Sequence, residues 1–261
     1  MNQPLSFIHP QAKIANNVVV EPFVTISKNV EIGQGTWIGS NVCIMEGSRI
    51  GENCRIFPGS VIGAIPQDLK FDGENSEAII GNNTTIRECV TINRGTNYSG
   101  KTEIGENCLI MAYSHIAHDC KISNNAIIVN SVQLGGHIEV GEWAIIGGLS
   151  AVHQYVKIGK HSMISGGALV RKDVPPYTKA AREPLSFVGI NSVGLRRRGF
   201  KSEKIIEIQN IYRTIFQSKL NNTQAIDKLE AEFPVSKERD EIIDFIRNSG
   251  RGIMKGYINQ N

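Results

Sequence analysis

The stretch from Ile104 to Ile146 reads IGENCLIMAYSHIAHDCKISNNAIIVNSVQLGGHIEVGEWAII, and every sixth residue in it is aliphatic. The same phase continues outward from Ile14 to Val170, where 24 of the 27 sixth positions hold Ile, Leu or Val. The exceptions are Asp68, Glu74 and Tyr98. A period of six matches neither the 3.6-residue period of a helix nor an ordinary strand of five to six residues closed by a hairpin. It indicates short strands joined by tight corners.

Two further positions of the repeat are restricted. The residue two before the aliphatic is small or β-branched, as at Cys108, Ser114 and Cys120, and the residue after it is often glycine. A two-residue spacing keeps both side chains on one face, so each strand turns one large and one small residue inward. Stacked coils of this kind form a hexapeptide β-helix. The pattern resembles the left-handed triangular version, with three hexads in each coil and about eight coils in all.

The repeat divides the chain into two parts. We predict a mainly β domain, a left-handed parallel β-helix, over residues 1–190, with Val174-Pro175-Pro176 stopping the repeat because proline cannot donate to a ladder. The breaks in phase place two protruding loops at about 64–78 and 95–101, where a rigid scaffold would expose ligand contacts. Apolar residues beyond 190 follow helical spacing, which predicts a C-terminal α-helical domain of three helices over 191–261.

The composition is that of a folded protein, with 41% hydrophobic and 20% charged residues among 261. The N-terminus lacks the basic and apolar segments of a secretory signal, and no run of about 18 apolar residues occurs, so we expect a cytoplasmic protein without a membrane span. Five cysteines without CxxC spacing favour neither zinc nor disulfides. No nucleotide-binding glycine motif is present, and we expect no nucleic-acid partner.

Charge is unevenly distributed along the chain. Residues 1–170 contain 11 Lys and Arg against 14 Asp and Glu, a net charge of −3, whereas residues 171–261 contain 17 against 11, a net charge of +6. Residues 171–219 contain 11 basic and 4 acidic residues. A basic C-terminal part suggests an acidic partner or a phosphate ligand, and a solvated helical surface explains the same charge equally well.

Four of the six histidines lie close together in the repeat. Because a coil takes about 18 residues, we predict that His118, His137 and His153 stack on one edge in successive coils, near the ~4.8 Å separation of strands. His115 lies in the same coil as His118. Clustered imidazoles exchange protons near neutral pH and so indicate an active site. The alternative is a metal site like that of β-helical carbonic anhydrases, but the histidine spacing does not match theirs, so we predict no metal.

The segment Ser114-His115-Ile116-Ala117-His118-Asp119-Cys120 is the most specific motif of the chain. Other motifs accompany it in order: QDLK at 67–70, LGGH at 134–137, AVHQ at 151–154, DVPPY at 173–177 and GLRRRGF at 194–200. Over nearly the whole chain these motifs resemble the bacterial UDP-N-acetylglucosamine O-acyltransferases, which catalyse the first step of lipid A biosynthesis. The resemblance implies transfer of a (3-hydroxy)fatty acyl group from acyl carrier protein to the 3-hydroxyl of UDP-N-acetylglucosamine, without a cofactor.

The resemblance also implies roles for individual residues. His118 would be the general base, Asp119 would hold and polarise it, and the Gly136 backbone N–H would face the developing oxyanion. The substrate-binding residues would include Gln67, with Asp68, Lys70 and His115 at the sugar, His137, His153 and Gln154 along the nucleotide and phosphates, and Asn191, Arg197 and Arg198 at the uridine diphosphate. The family often has an acidic residue where this chain has Val193, so the uridine contact differs there.

Gly166 aligns with the position at which the family sets the acyl-chain length. A glycine leaves that pocket open, which predicts a long acyl chain. Because residue 166 follows residue 153 by less than a full coil, Gly166 lies on another edge than the histidines. A pocket that uses both edges needs two copies of the chain, in agreement with the homotrimer that the resemblance implies. Acyl carrier protein is acidic, so the basic segment 171–219 is its predicted docking surface.

Two other functions fit the repeat. The first is a related β-helical N-acyltransferase that acts on an amino sugar nucleotide. That family carries an additional N-terminal domain, whereas the hexads of this chain begin at about residue 12. The second is a non-catalytic β-helical scaffold, which would not require clustered histidines.

Overall fold

The computed structural model describes residues 5–256 and shows a three-sided prism of short parallel strands, followed by helices. Strands are numbered in chain order, and within the prism every third strand joins the same sheet. The first sheet contains β1 (Phe7–Ile8), β4 (Thr25–Ile26), β7 (Cys43–Ile44), β10 (Val61–Ala64), β13 (Thr91–Asn93), β16 (His115–Ile116), β19 (Gln133–Leu134), β22 (Ala151–Val152) and β25 (Leu169–Val170). The second contains β2 (Lys13–Ile14), β5 (Glu31–Ile32), β8 (Ser48–Ile50), β11 (Glu77–Ile80), β14 (Lys101–Ile104), β17 (Lys121–Ile122), β20 (Glu139–Val140) and β23 (Lys157–Ile158).

The third sheet extends past the prism. It contains β3 (Val19–Val20), β6 (Trp37–Ile38), β9 (Arg55–Ile56), β12 (Thr85–Ile86), β15 (Leu109–Ile110), β18 (Ile127–Ile128), β21 (Ile145–Ile146), β24 (Met163–Ile164), β26 (Thr178–Ala181), β27 (Ser186–Ile190) and β28 (Lys255–Gly256). The strand β27 pairs antiparallel with β26, and β28 pairs parallel with β27. The chain is therefore the predicted parallel β-helix of hexapeptide repeats, and its first strand precedes the expected start at residue 12.

The strand register confirms the coil of three hexads and explains why the phase survives the loops. His115 pairs with Gln133, and Gln133 pairs with Ala151, each partner standing three hexads further along the chain. Val61 pairs with Thr91, five hexads on, and Thr91 pairs with His115, four hexads on. The connections 65–76 and 94–100 thus insert two hexads and one hexad, respectively. Because both insertions are whole hexads, the aliphatic phase returns unchanged.

The repeated aliphatic residues form the core of the prism. Ile26, Ile38, Ile44, Ile56 and Ile62 are all fully buried. Burial of one such side chain stabilises the fold by about 1.5–3 kcal/mol. The small residues two positions earlier are buried beside them, which lets three strands converge without overpacking.

The corners of the prism depend on a position that the sequence analysis did not single out. The residue three after most of the aliphatics has positive φ, as at Asn41, Asn53, Asn107 and Asn125. Asparagine tolerates this left-handed conformation better than most residues. The glycine directly after the aliphatic serves another purpose, because a Cβ at Gly33 would lie 2.7 Å from a backbone carbon of the next coil.

The C-terminal part differs from the prediction in two ways. The prolines at 175 and 176 do not end the prism, because Val174 still bridges to Ile158 and β26 pairs with β24. Within residues 5–256 there are four helices rather than three: α1 (Ser192–Arg197), α2 (Ser202–Gln217), α3 (Asn222–Glu232) and α4 (Lys237–Arg247). The unpredicted α1 spans six residues, too few to show helical periodicity. No helix in the described part of the chain is long and apolar enough to cross a membrane.

A buried carboxylate joins the prism to the C-terminal segment. The fully buried Asp173 accepts hydrogen bonds from the Lys157 backbone N–H at 2.8 Å and the Ser249 hydroxyl at 2.6 Å. Its own backbone pairs with Gly252 and Met254. This residue ties the last coil to the segment that follows α4.

Replacement of Asp173 by alanine is expected to lower the free energy of unfolding by about 1–3 kcal/mol, because the Lys157 N–H and the Ser249 hydroxyl lose their acceptor. Urea denaturation followed by circular dichroism measures the change. The exposed Asp72, replaced by alanine, is the control. Equal midpoints for the two variants would contradict the structural role of Asp173.

Candidate active site

The site lies on the edge where the first sheet passes to the second, which we call the first edge. Both protruding loops leave the prism there. Asp119, His137 and Tyr155 occupy the same left-handed corner in successive coils, each one coil after the last. On the other edges this corner is often asparagine. A short carboxylate and two rings therefore replace a structural residue, and the corner directs them towards the loops.

His118 and Asp119 form a buried pair. The distance from His118 Nδ1 to Asp119 Oδ2 is 2.7 Å, and both side chains are buried. Asp119 also accepts hydrogen bonds from the loop 94–100: from the backbone N–H groups of Thr96 and Ser99, both at 3.1 Å, and from their hydroxyls at 2.8 and 2.5 Å. Burial raises the pKa of Asp119, but the hydrogen bonds from Ser99, His118 and Thr96 bring it below its usual value.

The state of Asp119 determines the tautomer of His118. An ionised carboxylate only accepts hydrogen bonds, so His118 must donate from Nδ1. In the neutral imidazole the other nitrogen, Nε2, then carries a lone pair and no proton. The pair can therefore take a proton at Nε2 while Asp119 stabilises the resulting cation.

Gly136 lies against the ring of His118. A Cβ added to Gly136 would lie 2.7 Å from His118 Cε1 and 2.8 Å from Nε2, closer than real Cβ contacts. Among residues 5–256, no group accepts a hydrogen bond from the Gly136 N–H. Glycine is required here because the ring fills the space that a side chain would need, and its N–H remains available to a ligand.

His137 is held by aromatic rings. It stacks on Tyr155 with ring centroids 4.4 Å apart, and the edge of Tyr98 approaches it at 4.5 Å. Its ring also meets that of His118, at 4.9 Å. Within residues 5–256 its buried Nδ1 has no hydrogen-bond partner, and this atom lies 3.9 Å from Asp119 Oδ2. Burial lowers the pKa of His137, against the opposite effect of Asp119, so this ring is neutral at neutral pH.

A cleft of about 240 Å³ opens beside this cluster. The two loops and the corner residues line it together: Asp68, Lys70, Glu74, Thr96, Asn97, Tyr98, His137 and Tyr155. The structure thus brings together Asp68, Lys70 and His137, three of the residues predicted to bind substrate. Gln67 is exposed on the same loop and does not line this cleft.

The predicted stack of three histidines is only partly correct. His118 and His137 are in contact, but His153 is exposed and its Nδ1 lies 3.1 Å from the Gln154 carbonyl oxygen. The positions in register with 118 are 136 and 154, so residues 137 and 153 are each displaced by one position, in opposite directions. At the corner of the prism a displacement of one position turns a side chain in another direction. Gln154, which is in register with Gly136, is exposed. His115 lies on β16 with Nδ1 2.7 Å from the Thr91 hydroxyl.

The residues predicted to bind uridine diphosphate lie on a different edge, where the second sheet passes to the third. Arg198 stacks over Trp143 at 4.9 Å, and its buried Nη1 has no hydrogen-bond partner in the described part of the chain. Arg197 is exposed. Asn191 is buried and engaged within the chain: its Oδ1 caps α1 and its Nδ2 donates to the His161 carbonyl oxygen at 2.9 Å. Within one chain Asn191 is therefore a helix cap, with one hydrogen bond at each end of its side-chain amide, and its contact with the nucleotide stays a prediction.

Gly166 lies on the third edge, between the third and first sheets. A Cβ there would lie 3.0 Å from the Gly148 carbonyl oxygen. Leu149 and Tyr113 stand on the same edge with exposed fractions of 75% and 63%. The predicted acyl-chain position thus has an apolar neighbourhood, and as expected it is not on the histidine edge.

The cluster of His118, Asp119 and His137 has its donor atoms within 4.8 Å of one another, a separation that could hold a metal ion. The oxygens of Asp119, however, already accept five hydrogen bonds. A carboxylate offers about four lone-pair positions, so a metal would have to displace these donors. The donor set fits a base with its carboxylate better than a metal centre.

Four residues that contact Asp119 or His137 were not predicted individually: Thr96, Tyr98, Ser99 and Tyr155. The first three belong to the loop that the break in phase had marked as a ligand contact. Tyr155 could have been found by stepping two coils forward from Asp119. No sequence signal distinguishes the hydroxyls that reach Asp119 from other loop hydroxyls.

Three family models match the chain. The model for UDP-N-acetylglucosamine O-acyltransferase, domain 2, matches residues 173–254, the bacterial transferase hexapeptide model (six repeats) matches residues 101–136, and the model of the GMPPB C-terminal domain matches residues 2–101. Acyl-[acyl-carrier-protein]–UDP-N-acetylglucosamine O-acyltransferases of Burkholderia thailandensis and Burkholderia lata are 39% and 41% identical over 198 residues, which cover 74% of this chain and 76% of each relative.

Solved structures agree over a greater length. LpxA, a UDP-N-acetylglucosamine acyltransferase from Bacteroides fragilis, superposes with a TM-score of 0.96 at 52% identity, covering 98% of this chain and 100% of that one. LpxA from Acinetobacter baumannii gives a TM-score of 0.94 at 40% identity, covering 97% and 99%.

Proposed function

Because the chain belongs to the family of UDP-N-acetylglucosamine O-acyltransferases, we propose that it transfers a 3-hydroxyacyl group from acyl carrier protein to the sugar 3-hydroxyl of UDP-N-acetylglucosamine, with His118 as the general base. As an O-acyltransferase of this family it acylates UDP-N-acetylglucosamine. The identity of the acyl donor, the attacked hydroxyl and the base are the parts that we add.

The reaction begins with proton removal from the sugar hydroxyl. His118 Nε2 takes that proton as the oxygen attacks the thioester carbonyl carbon, and the carbonyl oxygen becomes an oxyanion. Asp119, hydrogen-bonded to Nδ1, stabilises the imidazolium. A positioned base of this kind contributes about 10²–10⁴-fold to the rate.

The intermediate then collapses with cleavage of the carbon–sulfur bond. The electron pair of that bond leaves with the thiolate of the carrier's prosthetic arm, which takes the proton from His118 Nε2. The free N–H of Gly136, beside the His118 ring, is the donor we assign to the oxyanion. The ester and a free thiol result, and His118 returns to its initial state.

One observation carries this proposal: Asp119 accepts four hydrogen bonds from Thr96 and Ser99, so Nδ1 of His118 is the donor to this carboxylate and Nε2 is the base. A scaffold protein would have no need of an ionised carboxylate buried beside two imidazoles. The cleft beside the pair contains Asp68 and Lys70, which offer an acceptor and donors to sugar hydroxyls.

The predicted residues on the other two edges can contribute to the site at His118 only through a second copy of the chain. Arg198 and Gly166 lie on the two edges that do not carry His118, and only another subunit can bring those edges to the first. We therefore propose a homotrimer with active sites between subunits, which sedimentation velocity would detect as a threefold mass. The basic segment 171–219 is the docking surface we propose for the acidic carrier protein.

The test of the proposed function is a product assay. Purified protein, supplied with 3-hydroxyacyl carrier protein and UDP-N-acetylglucosamine, is expected to yield a monoacylated sugar nucleotide whose ester position nuclear magnetic resonance assigns to the 3-oxygen. The 3-amino analogue supplied in competition is expected to be the poorer acceptor. Strict preference for the amine would favour the N-acyltransferase, and a folded protein that binds no sugar nucleotide would favour the scaffold.

A further inference from the structure

The loop 94–100 makes a set of contacts that the general-base mechanism does not by itself require. Four of the five hydrogen bonds to Asp119 come from Thr96 and Ser99 of this loop, and only one comes from His118. Asp119 is buried between them. The loop is one hexad longer than a regular corner, and its residues contact Asp119 in the next coil.

Among the described residues, Asp119 is the one acceptor that the Thr96 hydroxyl reaches. The oxygen of this hydroxyl accepts the Tyr98 backbone N–H at 3.2 Å, so its proton points to Asp119 Oδ2 at 2.8 Å. The Ser99 hydroxyl has two acceptors within reach, Asp119 Oδ1 and the Lys101 carbonyl oxygen. The opposite side of Asp119 is fixed by its own backbone N–H, which donates to the Thr102 hydroxyl at 2.9 Å.

We propose that Thr96 and Ser99 are positioning residues for the acyl transfer, which hold the Asp119 carboxylate ionised and oriented so that His118 keeps its proton on Nδ1. This inference rests on the proposed function. Neither residue touches the reacting atoms in the mechanism above. They act through Asp119, and the loop that carries them also places Tyr98 beside His137.

The charged and titratable groups around Asp119, together with its hydrogen-bond donors, determine its pKa. His118 and His137 face it with Nδ1 atoms at 2.7 and 3.9 Å, and Asp68 acts on His137 from the other loop. The adjacent Cys120 thiol is neutral, because burial raises its pKa to about 12. The loop donors therefore remain the main groups, besides His118, that lower the pKa of Asp119.

Removal of these donors is expected to change the pH dependence of the reaction in one direction. Without the hydroxyl of Ser99 or Thr96 the pKa of Asp119 rises, and the more basic carboxylate holds the imidazolium proton more tightly. The acid limb of the pH profile of kcat/KM is then expected to move to higher pH, and kcat to fall about tenfold or more at neutral pH. A loss of packing alone would lower activity without moving the limb.

The experiment compares Ser99→Ala and Thr96→Val with the conservative Ser99→Thr and Thr96→Ser, and with Lys101→Ala as the control. Lys101 is a neighbouring residue whose exposed side chain pairs with Glu103 rather than with Asp119. We expect lower kcat, unchanged KM for UDP-N-acetylglucosamine and a shifted acid limb for the first two variants only. Unchanged rates, or reduced rates with an unmoved limb, would overturn the proposal.

A second measurement keeps this inference separate from the proposed function. Carboxyl carbon shifts of Asp119, followed by nuclear magnetic resonance as the pH is lowered, report its titration whether or not the protein transfers an acyl group. Ser99→Ala is expected to raise the titration midpoint relative to the unsubstituted protein. If the protein shows this shift but has no transferase activity, the proposed function is refuted and the effect of the loop on Asp119 stands. If the protein is active but shows no shift, the positioning role is refuted.

Discussion

Replacement of His118 by glutamine is expected to lower kcat by about 10²–10⁴-fold, because the proposed base is removed while a polar side chain remains beside Asp119. KM for UDP-N-acetylglucosamine should change little, since the proton is transferred only in the transition state. Steady-state kinetics with saturating acyl carrier protein thioester measure both constants. Activity near that of the unsubstituted enzyme would refute the assignment of His118.

A second histidine serves as the control for this experiment. His9 lies near the N-terminal end of the prism, and its Nδ1 accepts the Gln11 backbone N–H at 3.1 Å. The His9→Gln variant should therefore retain full activity. Circular dichroism of both variants verifies that the β-helix is intact, as expected because neither substitution touches the aliphatic core.

Replacement of Gly136 by alanine is expected to lower kcat by about 10²–10³-fold. The added Cβ would lie within 2.8 Å of two atoms of the His118 ring, so the ring must move away from the position that Asp119 imposes. The methyl group would also cover the N–H that we assign to the oxyanion. Because both effects act on the transition state, the loss should appear in kcat at saturating substrate.

The control for this substitution is a glycine at which an added Cβ would have no close contact. Gly250 has no heavy atom within 4 Å of that position and no positive φ, so Gly250→Ala should be active. If Gly136→Ala were as active as Gly250→Ala, both the steric argument and the oxyanion assignment would be wrong. A crystal structure of Gly136→Ala would show whether the His118 ring has moved.

The two predictions test different parts of one arrangement. His118→Gln removes the group that carries the proton, whereas Gly136→Ala leaves that group in the chain and changes where it stands. Both parts lie on the first edge of one chain. The arginine and acyl-chain positions lie on the other two edges, so their contribution depends on the homotrimer that we propose.

The succession of strands and loops could be predicted from the amino-acid sequence, because the large inward residue of each short strand must be aliphatic. The six-residue phase from Ile14 to Val170 predicted the strand positions and the two loops, and the resemblance to triangular β-helices supplied the three hexads of each coil. The phase did so because the requirement is local and repeats wherever a strand faces the core. Even the loops preserve the phase, since their insertions are whole hexads.

The site was predictable only in part. Periodicity placed His118 and His137 on one edge in successive coils, the family resemblance assigned roles to Asp119 and Gly136, and the break at Tyr98 marked the loop beside them. The same arithmetic failed for His153, because a shift of one position at a left-handed corner turns a side chain to another direction. A rule that works for inward residues therefore loses accuracy at the corners, where the chemistry lies.

Only the tertiary structure decided which groups hold Asp119 and on which edge each predicted ligand stands. Thr96 and Ser99 reach Asp119 from the preceding coil, through a loop whose path no repeat constrains. Asn191 proved to cap a helix that is too short to leave a periodic signal. Such contacts depend on the conformation of irregular segments, which nonlocal packing and hydrogen bonding determine, whereas the prism follows from a pattern that each hexad contains in itself.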